Sequence, residues 1–269
     1  LEEIEIEKKE LNSIYYIYSK IMIESIADIK HTYYINLEER KDRNQHVQEQ
    51  LQKIGIENPT RFKAIKLENG AIGCSMSHLQ CIKQAKEQGW PHVFICEDDI
   101  LFLQPSFFAR QLNNFFSHHK DDWDVVLIAG NNIPPYKPVD DYCVQVIHCQ
   151  TTTGYIVKEH YYDTLLENYK TGIQKLMLNP TQGIQYAIDK YWFELQAIHR
   201  WFLITPLTVT QREDYSDIEK RDTNYSRLLL DLDKVEWLKQ QQEFIRQHEE
   251  FMKQQQAMAN QSGMGMKFL

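Results

Sequence analysis

The stretch PHVFICEDDILFL, residues 91–103, decides the fold. Val93, Phe94, Ile95 and Cys96 form a short apolar run of the kind that makes a buried strand, and Ile100 to Leu103 continue it after three acids. Glu97, Asp98 and Asp99 would repel one another inside a core, and each is costly to desolvate. They are tolerable only where the strand opens into a cleft that holds positive charge. A divalent cation is one such partner, because hard oxygen ligands suit Mg²⁺ or Mn²⁺. The expected place is the carboxyl end of a strand in an open α/β sheet.

Upstream, residues 32–37 (TYYINL) read as a strand from their β-branched and aromatic content. Residues 38–54 follow at helical spacing, with Val47, Leu51 and Ile54 on one face and Gly55 placed to end the helix. Residues 61–65 read as a second strand, 70–73 as a turn, and 74–88 as a helix whose apolar face carries Met76, Leu79 or Cys81, Ile82 and Ala85. Downstream, 105–120 reads as helix and 124–129 as another buried strand. This alternation predicts an α/β domain with a mostly parallel sheet flanked by helices.

Beyond Gly130 the pattern loosens. A proline-rich loop to Asp141 precedes strands over 142–149 and 153–157, helices over 160–169 and 181–191, and short strands over 201–206 and 207–210. Three regions result: an N-terminal extension (1–30), a domain (31–225), and a charged, Gln-rich helix with a fraying tail (226–269). The helix has an incomplete stripe of Val235, Leu238, Phe244 or Ile245, and Phe251 or Met252. It could pack on the domain or on a partner, a second copy included.

Composition narrows the function. A formal net charge of −8 argues against a general nucleic-acid binder. No apolar run reaches the length of a membrane span. The opening LEEIEIEKKELNSIYYIYSKI is charged before it is apolar and does not read as a secretory signal. Five cysteines without CxxC spacing read as reduced thiols rather than a zinc site or a disulfide framework. Together these favour a cytoplasmic setting, with the secretory lumen left open.

Two further segments bear on the acids. Asn36 and Leu37 end the first strand, and Arg40 and Arg43 follow on one side of the next helix. Cations beside a helix start suit a diphosphate, but they also suit pairing with Glu38, Glu39 or Asp42. Gly70 and Gly73 let backbone approach a ligand, and Ser75, Ser77 and His78 place donors near the helix start. Taken alone, His78 reads as a hydrogen-bonded core histidine.

In this order, YYINLEERKDR, GAIGCSMSHLQCI and FICEDDI resemble the opening motifs of glycosyltransferase family 25, which includes bacterial lipopolysaccharide glycosyltransferases, procollagen galactosyltransferases and proteins of large DNA viruses. Residues 152–156 (TTGYI) and 211–219 (QREDYSDIE) are similar to later segments of that family. The resemblance implies a GT-A architecture and an inverting hexosyltransferase using UDP-galactose or UDP-glucose, with a glycan or peptide (hydroxylysine) acceptor. It implies that Asp99 and Glu97 hold Mn²⁺ or Mg²⁺ as a DXD-like motif. Asn36, Leu37, Arg40, Arg43, Ser77, His78, Glu97, Asp98, Thr153, Gly154 and Gln211 would line the nucleotide-sugar pocket. Inversion needs a carboxylate to take the acceptor proton; Asp189 is the first candidate and Asp217 the second. A late histidine ligand is not evident, since His148 and His199 lack supporting context. Trp192, Phe193, Trp201 and Phe202 could stack on a sugar or fill the core. Two rivals stay open: a metal-dependent phosphohydrolase of nucleotide sugars, and a non-catalytic carbohydrate- or partner-binding module on the same fold.

Overall fold

The structure is a computed structural model that describes residues 23–264, with side chains described to residue 255. In chain order, β1 (Thr32–Asn36), α1 (Lys41–Lys53), β2 (Thr60–Lys63), α2 (Gly70–Glu87) and β3 (His92–Glu97) lead to β4 (Ile100–Phe102). Then come α3 (Pro105–His119), β5 (Val125–Asn132), β6 (Lys137–Pro138), β7 (Cys143–Gln145), β8 (Cys149–Lys158) and α4 (Tyr162–Leu178). Three short helices follow, α5 (Gly183–Tyr186), α6 (Ile188–Tyr191) and α7 (Phe193–Gln196). The first compact unit, which ends at Leu232, closes with β9 (Trp201–Ile204), β10 (Val209–Gln211), the hairpin β11 (Asp214–Ser216) and β12 (Arg221–Thr223), and α8 (Ser226–Leu229). A second unit, from Asp233, contains α9 (Val235–Met264).

Eight strands form the central sheet in the order β2-β1-β3-β8-β5-β9-β7-β6. From the pairings, six run one way and β7 and β8 run the other, so the expected mostly parallel α/β sheet is what forms. Its centre is buried on both faces, which is why β3 reads as a continuous apolar run. Phe94 and Cys96 enter the core on one side of the sheet, and Val93 and Ile95 the core on the other.

The unexpected feature is β8, which lies antiparallel between β3 and β5. Its start therefore sits beside their carboxyl ends: Gly154 pairs with Cys96, which brings residues 151–153 to Glu97. The acidic stretch is also two strands rather than one. The chain turns at Asp98 and Asp99, and β4 leaves the main sheet to pair with β10.

Sequence and structure differ elsewhere for local reasons. Residues 70–73 are the first turn of α2, because the Asn69 side chain accepts from the N–H groups of Ala71 (3.1 Å) and Ile72 (3.3 Å). That start gives a buried face through Gly73, Ser77, His78 and Cys81, while Met76 and Leu79 are half-buried. Ile23, Ile26 and Ile29, placed with the extension by sequence, belong to the core. Trp192, Trp201 and Phe202 are buried in the core rather than offered as a sugar platform. The backbone of α9 stays helical past Ala257 to Met264. The rest of the N-terminal extension, up to residue 22, lies outside the described residues, and no described helix is long and apolar enough to cross a membrane.

Gly73 fixes α2 against the segment after β2: a Cβ there would sit 2.4 Å from the Ile65 carbonyl oxygen. Gly73→Ala is expected to destabilise the protein by about 1–3 kcal/mol, lowering the thermal midpoint by about 2–4 °C per kcal/mol. Gly183→Ala, which meets nothing within 4 Å, is the control. Equal midpoints for the two variants would refute this packing.

Candidate functional site

A cleft of about 660 Å³ opens at the carboxyl edge of the sheet. Of the residues expected at the site, Leu37, Arg43, Ser77, His78, Glu97, Asp98, Asp99, Asp189, Gln211 and Asp217 line it. Asn36, Arg40, Thr153 and Gly154 are not among its walls. Asn36 and Arg40 lie behind it, in contact with Asp98 and with Asp214 and Asp217 respectively.

The three acids have different surroundings. Asp98 is turned back into the protein, accepting from the Asn36 carboxamide (2.6 Å) and from Arg43 Nη1 (3.2 Å). Glu97 accepts at Oε1 from Thr152 Oγ1 (2.5 Å) and at Oε2 from Gln211 Nε2 (3.2 Å), with His78 Nε2 at 3.5 Å. Asp99 meets Arg43 Nη1 at 3.3 Å through Oδ2, while its buried Oδ1 has no hydrogen-bond partner among the described residues. Thus Arg43 answers part of the charge of this segment.

These surroundings shift the acids differently. Burial pushes Asp99 well above the usual carboxylate range, and the charges of Glu97 and Asp98 push it further, with Arg43 opposing. Burial also raises Asp98 against the pull of Asn36 and Arg43. In Glu97 burial is outweighed by His78, Thr152 and Arg43, which hold it below its ordinary value.

Arg40 and Arg43 were expected to face a diphosphate, yet both are engaged with carboxylates. Asp214 Oδ2 lies 2.6 Å from Arg40 Nη2 and 3.2 Å from Arg43 Nε, and Asp217 Oδ2 lies 2.9 Å from Arg40 Nη1. Arg43 Nη2 also donates to the Tyr215 carbonyl (2.9 Å). The pair thereby clamps the β11–β12 hairpin over the cleft. Asp217 is spoken for by Arg40. Ser77 is likewise occupied, donating to the Gly73 carbonyl and accepting from the Ile65 N–H, both at 2.8 Å.

Asp189 stands at the other wall, at the start of α6. Its Oδ2 accepts from the Thr151 N–H (3.1 Å), and Lys190 Nζ is 3.8 Å away. Burial raises its carboxyl above the ordinary value, against Lys190 and Thr151, and the charge of Glu97 adds to the rise. Thr151 has φ of 76°, a strained setting for a β-branched residue that costs about 1–3 kcal/mol. It sits where the β5–β8 pairing shifts register, between Thr152 on Glu97 and the N–H on Asp189. Nothing in its residue type announced this, and Cys74 and Thr152 were missed for the same reason: their roles come from the antiparallel entry of β8 and the early start of α2.

The residues fit a hard cation in part. The unpartnered Asp99 Oδ1 and the raised Asp99 carboxyl are what a dication would satisfy. The acids at 97–99 do not converge as a three-ligand group among the described residues, so substrate oxygens or water would complete such a shell.

The model of glycosyltransferase family 25 (LPS biosynthesis protein) matches residues 61–190. Over that stretch the chain is similar to the glycosyltransferases of family 25. The matched region contains Glu97–Asp99 and Asp189. The segments carrying Asn36–Arg43 and Gln211–Asp217 lie outside it but are folded onto its acids. No curated protein matches the chain. Among solved structures, a glycosyltransferase involved in glycosylation of the major capsid of PBCV-1 overlaps at TM-score 0.43 and 12% identity, covering 64% of this chain and 80% of that one. A197 from STIV overlaps at 0.41 and 12% identity (75% and 94%). Mannose-1-phosphate geranyltransferase from Thermus thermophilus overlaps at 0.37 and 8% identity (65% and 72%).

The Asp99 surroundings predict a pH signature. Above Asp99's ordinary value and up to its raised one, the folded protein keeps a proton that the unfolded chain has lost, so stability falls as pH rises through that window. Glu97 acts oppositely, its contribution being present above its ordinary value and lost as pH falls through its lowered one. Asp99→Asn in metal-free buffer is therefore expected to raise the thermal midpoint at neutral pH, by about 2–4 °C per kcal/mol relieved, and to flatten the decline above about pH 4. A lower midpoint for Asp99→Asn at neutral pH would contradict this.

Proposed function

We propose that the chain is an inverting hexosyltransferase that moves galactose or glucose from a UDP-sugar to a hydroxyl of a glycan or of hydroxylysine in a peptide. The carrying observation is the pair of unlike carboxylate settings in one cleft. Asp99 on one wall has an unpartnered oxygen, and Asp189 on the other is half-buried with a raised carboxyl. Two groups with separate environments suit separate tasks, one on the leaving diphosphate and one on the incoming hydroxyl.

Asp189 would accept the acceptor proton, and its raised carboxyl brings it closer to the basicity a general base needs at neutral pH. The Thr151 N–H and Lys190 would fix its orientation. Asp217 fits less well, being tied to Arg40 and more exposed. Bound at Asp99, with Glu97 nearby, Mn²⁺ or Mg²⁺ would neutralise the donor diphosphate and so improve the leaving group. Asn36 and Arg43 would hold Asp98 so that the turn presents Asp99. Lys66 and Lys220, both on the cleft wall, add positive charge that suits a diphosphate. The exposed Phe244, Ile245, Phe251 and Met252 of α9 suit pairing with a second copy.

Asp189→Asn should reduce kcat by about 10²–10⁴-fold while UDP-sugar still raises the thermal midpoint in the presence of Mn²⁺. Undiminished transfer by this variant would remove Asp189 from the proton transfer. The same assay, run with and without acceptor, separates transfer from phosphohydrolysis, since only a hydrolase consumes the donor at full rate alone. UDP binding without turnover across acceptors would support the binding-module reading instead.

A further inference from the structure

Beside Asp99 lies a second constellation, which shares Glu97 with the acids and adds Cys74 and His78. Cys74 and His78 are four residues apart on α2, hence on one face, and Glu97 ends β3 opposite them. Their ligand atoms all lie within 4.8 Å of one another. Cys74 Sγ is 3.8 Å from Glu97 Oε1, and His78 Nε2 is 3.5 Å from the same oxygen. Around a tetrahedral zinc these separations would be about 3.5 Å and about 3.3 Å, given the usual zinc–sulfur, zinc–nitrogen and zinc–oxygen bond lengths. Both separations to Glu97 are within a few tenths of an ångström of those values.

We propose that Cys74, His78 and Glu97 form a binding site for a borderline-soft divalent cation of the zinc type, with its fourth position facing the cleft.

The independent observation is His78. Its side chain is fully buried, yet Nε2 has no hydrogen-bond partner among the described residues and faces Glu97. The other ring nitrogen, Nδ1, is engaged with the Tyr155 hydroxyl at 2.9 Å, and Tyr169 donates to that hydroxyl at 3.3 Å. A ring fixed through one nitrogen with the other left open is how proteins orient a ligating histidine. The donor set of sulfur, nitrogen and one carboxylate oxygen disfavours Mg²⁺ and Mn²⁺ and suits zinc. All three residues line the cleft, which leaves the fourth position open to water or a ligand. On binding, the Cys74 thiol gives its proton to solvent and the thiolate joins the metal. A second group, His119, Asp140 and Cys143, offers the same atom types but has no such orphan. There His119 Nε2 is already 2.6 Å from Asp140, and Asp140 caps the N–H groups of Tyr142 and Cys143. It serves as the internal control.

The test needs no assumption about glycosyl transfer. The full chain, reduced and metal-free, is titrated with Co²⁺ and followed by absorption. The expected result is one equivalent bound with a thiolate-to-cobalt charge-transfer band and tetrahedral visible bands, all displaced by Zn²⁺. The bands should vanish in Cys74→Ser and persist in Cys143→Ser, and Tyr155→Phe should weaken binding about 10–100-fold. Absence of a thiolate band, or its survival in Cys74→Ser, would overturn the proposal. If Cys74→Ser does not fold, zinc-edge absorption on the loaded wild-type chain decides: one sulfur with a histidine in the shell is expected, and a shell without sulfur or imidazole overturns it.

Discussion

Three consecutive carboxylates at the end of a strand buried on both faces are the constraint that organises this molecule. They cannot all be ionised in a low-dielectric setting without compensation, and Arg43 supplies the central share. Its guanidinium reaches Asp98 and Asp99 at 3.2 and 3.3 Å from one nitrogen and Asp214 at 3.2 Å from another. Removing the arginine from such a nearly buried network typically costs about 3–5 kcal/mol, because the acids are then stranded. The planar fork of arginine, which a lysine lacks, is what allows one side chain to serve three acids.

From that interaction the rest of the cleft follows. Arg43 also holds the hairpin after β10 and so sets one wall, while Asn36 and Arg43 turn Asp98 inward and leave Asp99 at the opening. The antiparallel entry of β8 delivers Thr152 to Glu97 and, through the strained Thr151, an N–H to Asp189. The two working walls are thus joined through adjacent residues of one strand. Strain at that point is tolerated because both neighbouring contacts are anchored to half-buried carboxylates.

Much of this was legible in the sequence. The apolar run around Glu97–Asp99 announced a buried strand and an acidic opening, and the spacing of Val47, Leu51 and Ile54 gave α1 its face. What was not legible arises from pairing over distance. No local pattern says that residues 149–158 insert between β3 and β5, and without that insertion Thr152 does not reach Glu97. The arginine pair was legible as positive charge near a ligand edge, but its partners Asp214 and Asp217 lie some 170 residues away, beyond any periodicity. The start of α2 was missed because two glycines outweighed Asn69 as a cap. Aromatic residues at 192 and 201 carry the same letters whether they face a sugar or the core, and burial alone separates the two.

In the proposed reading the unpartnered Oδ1 of Asp99 meets a cation that also binds the donor diphosphate. Anomalous diffraction at the manganese edge, on crystals grown with Mn²⁺ and UDP, tests this most directly. A peak at bonding distance from Asp99 that also touches the diphosphate is the predicted result. Nucleotide bound in the cleft with no anomalous density beside Asp99 would contradict it.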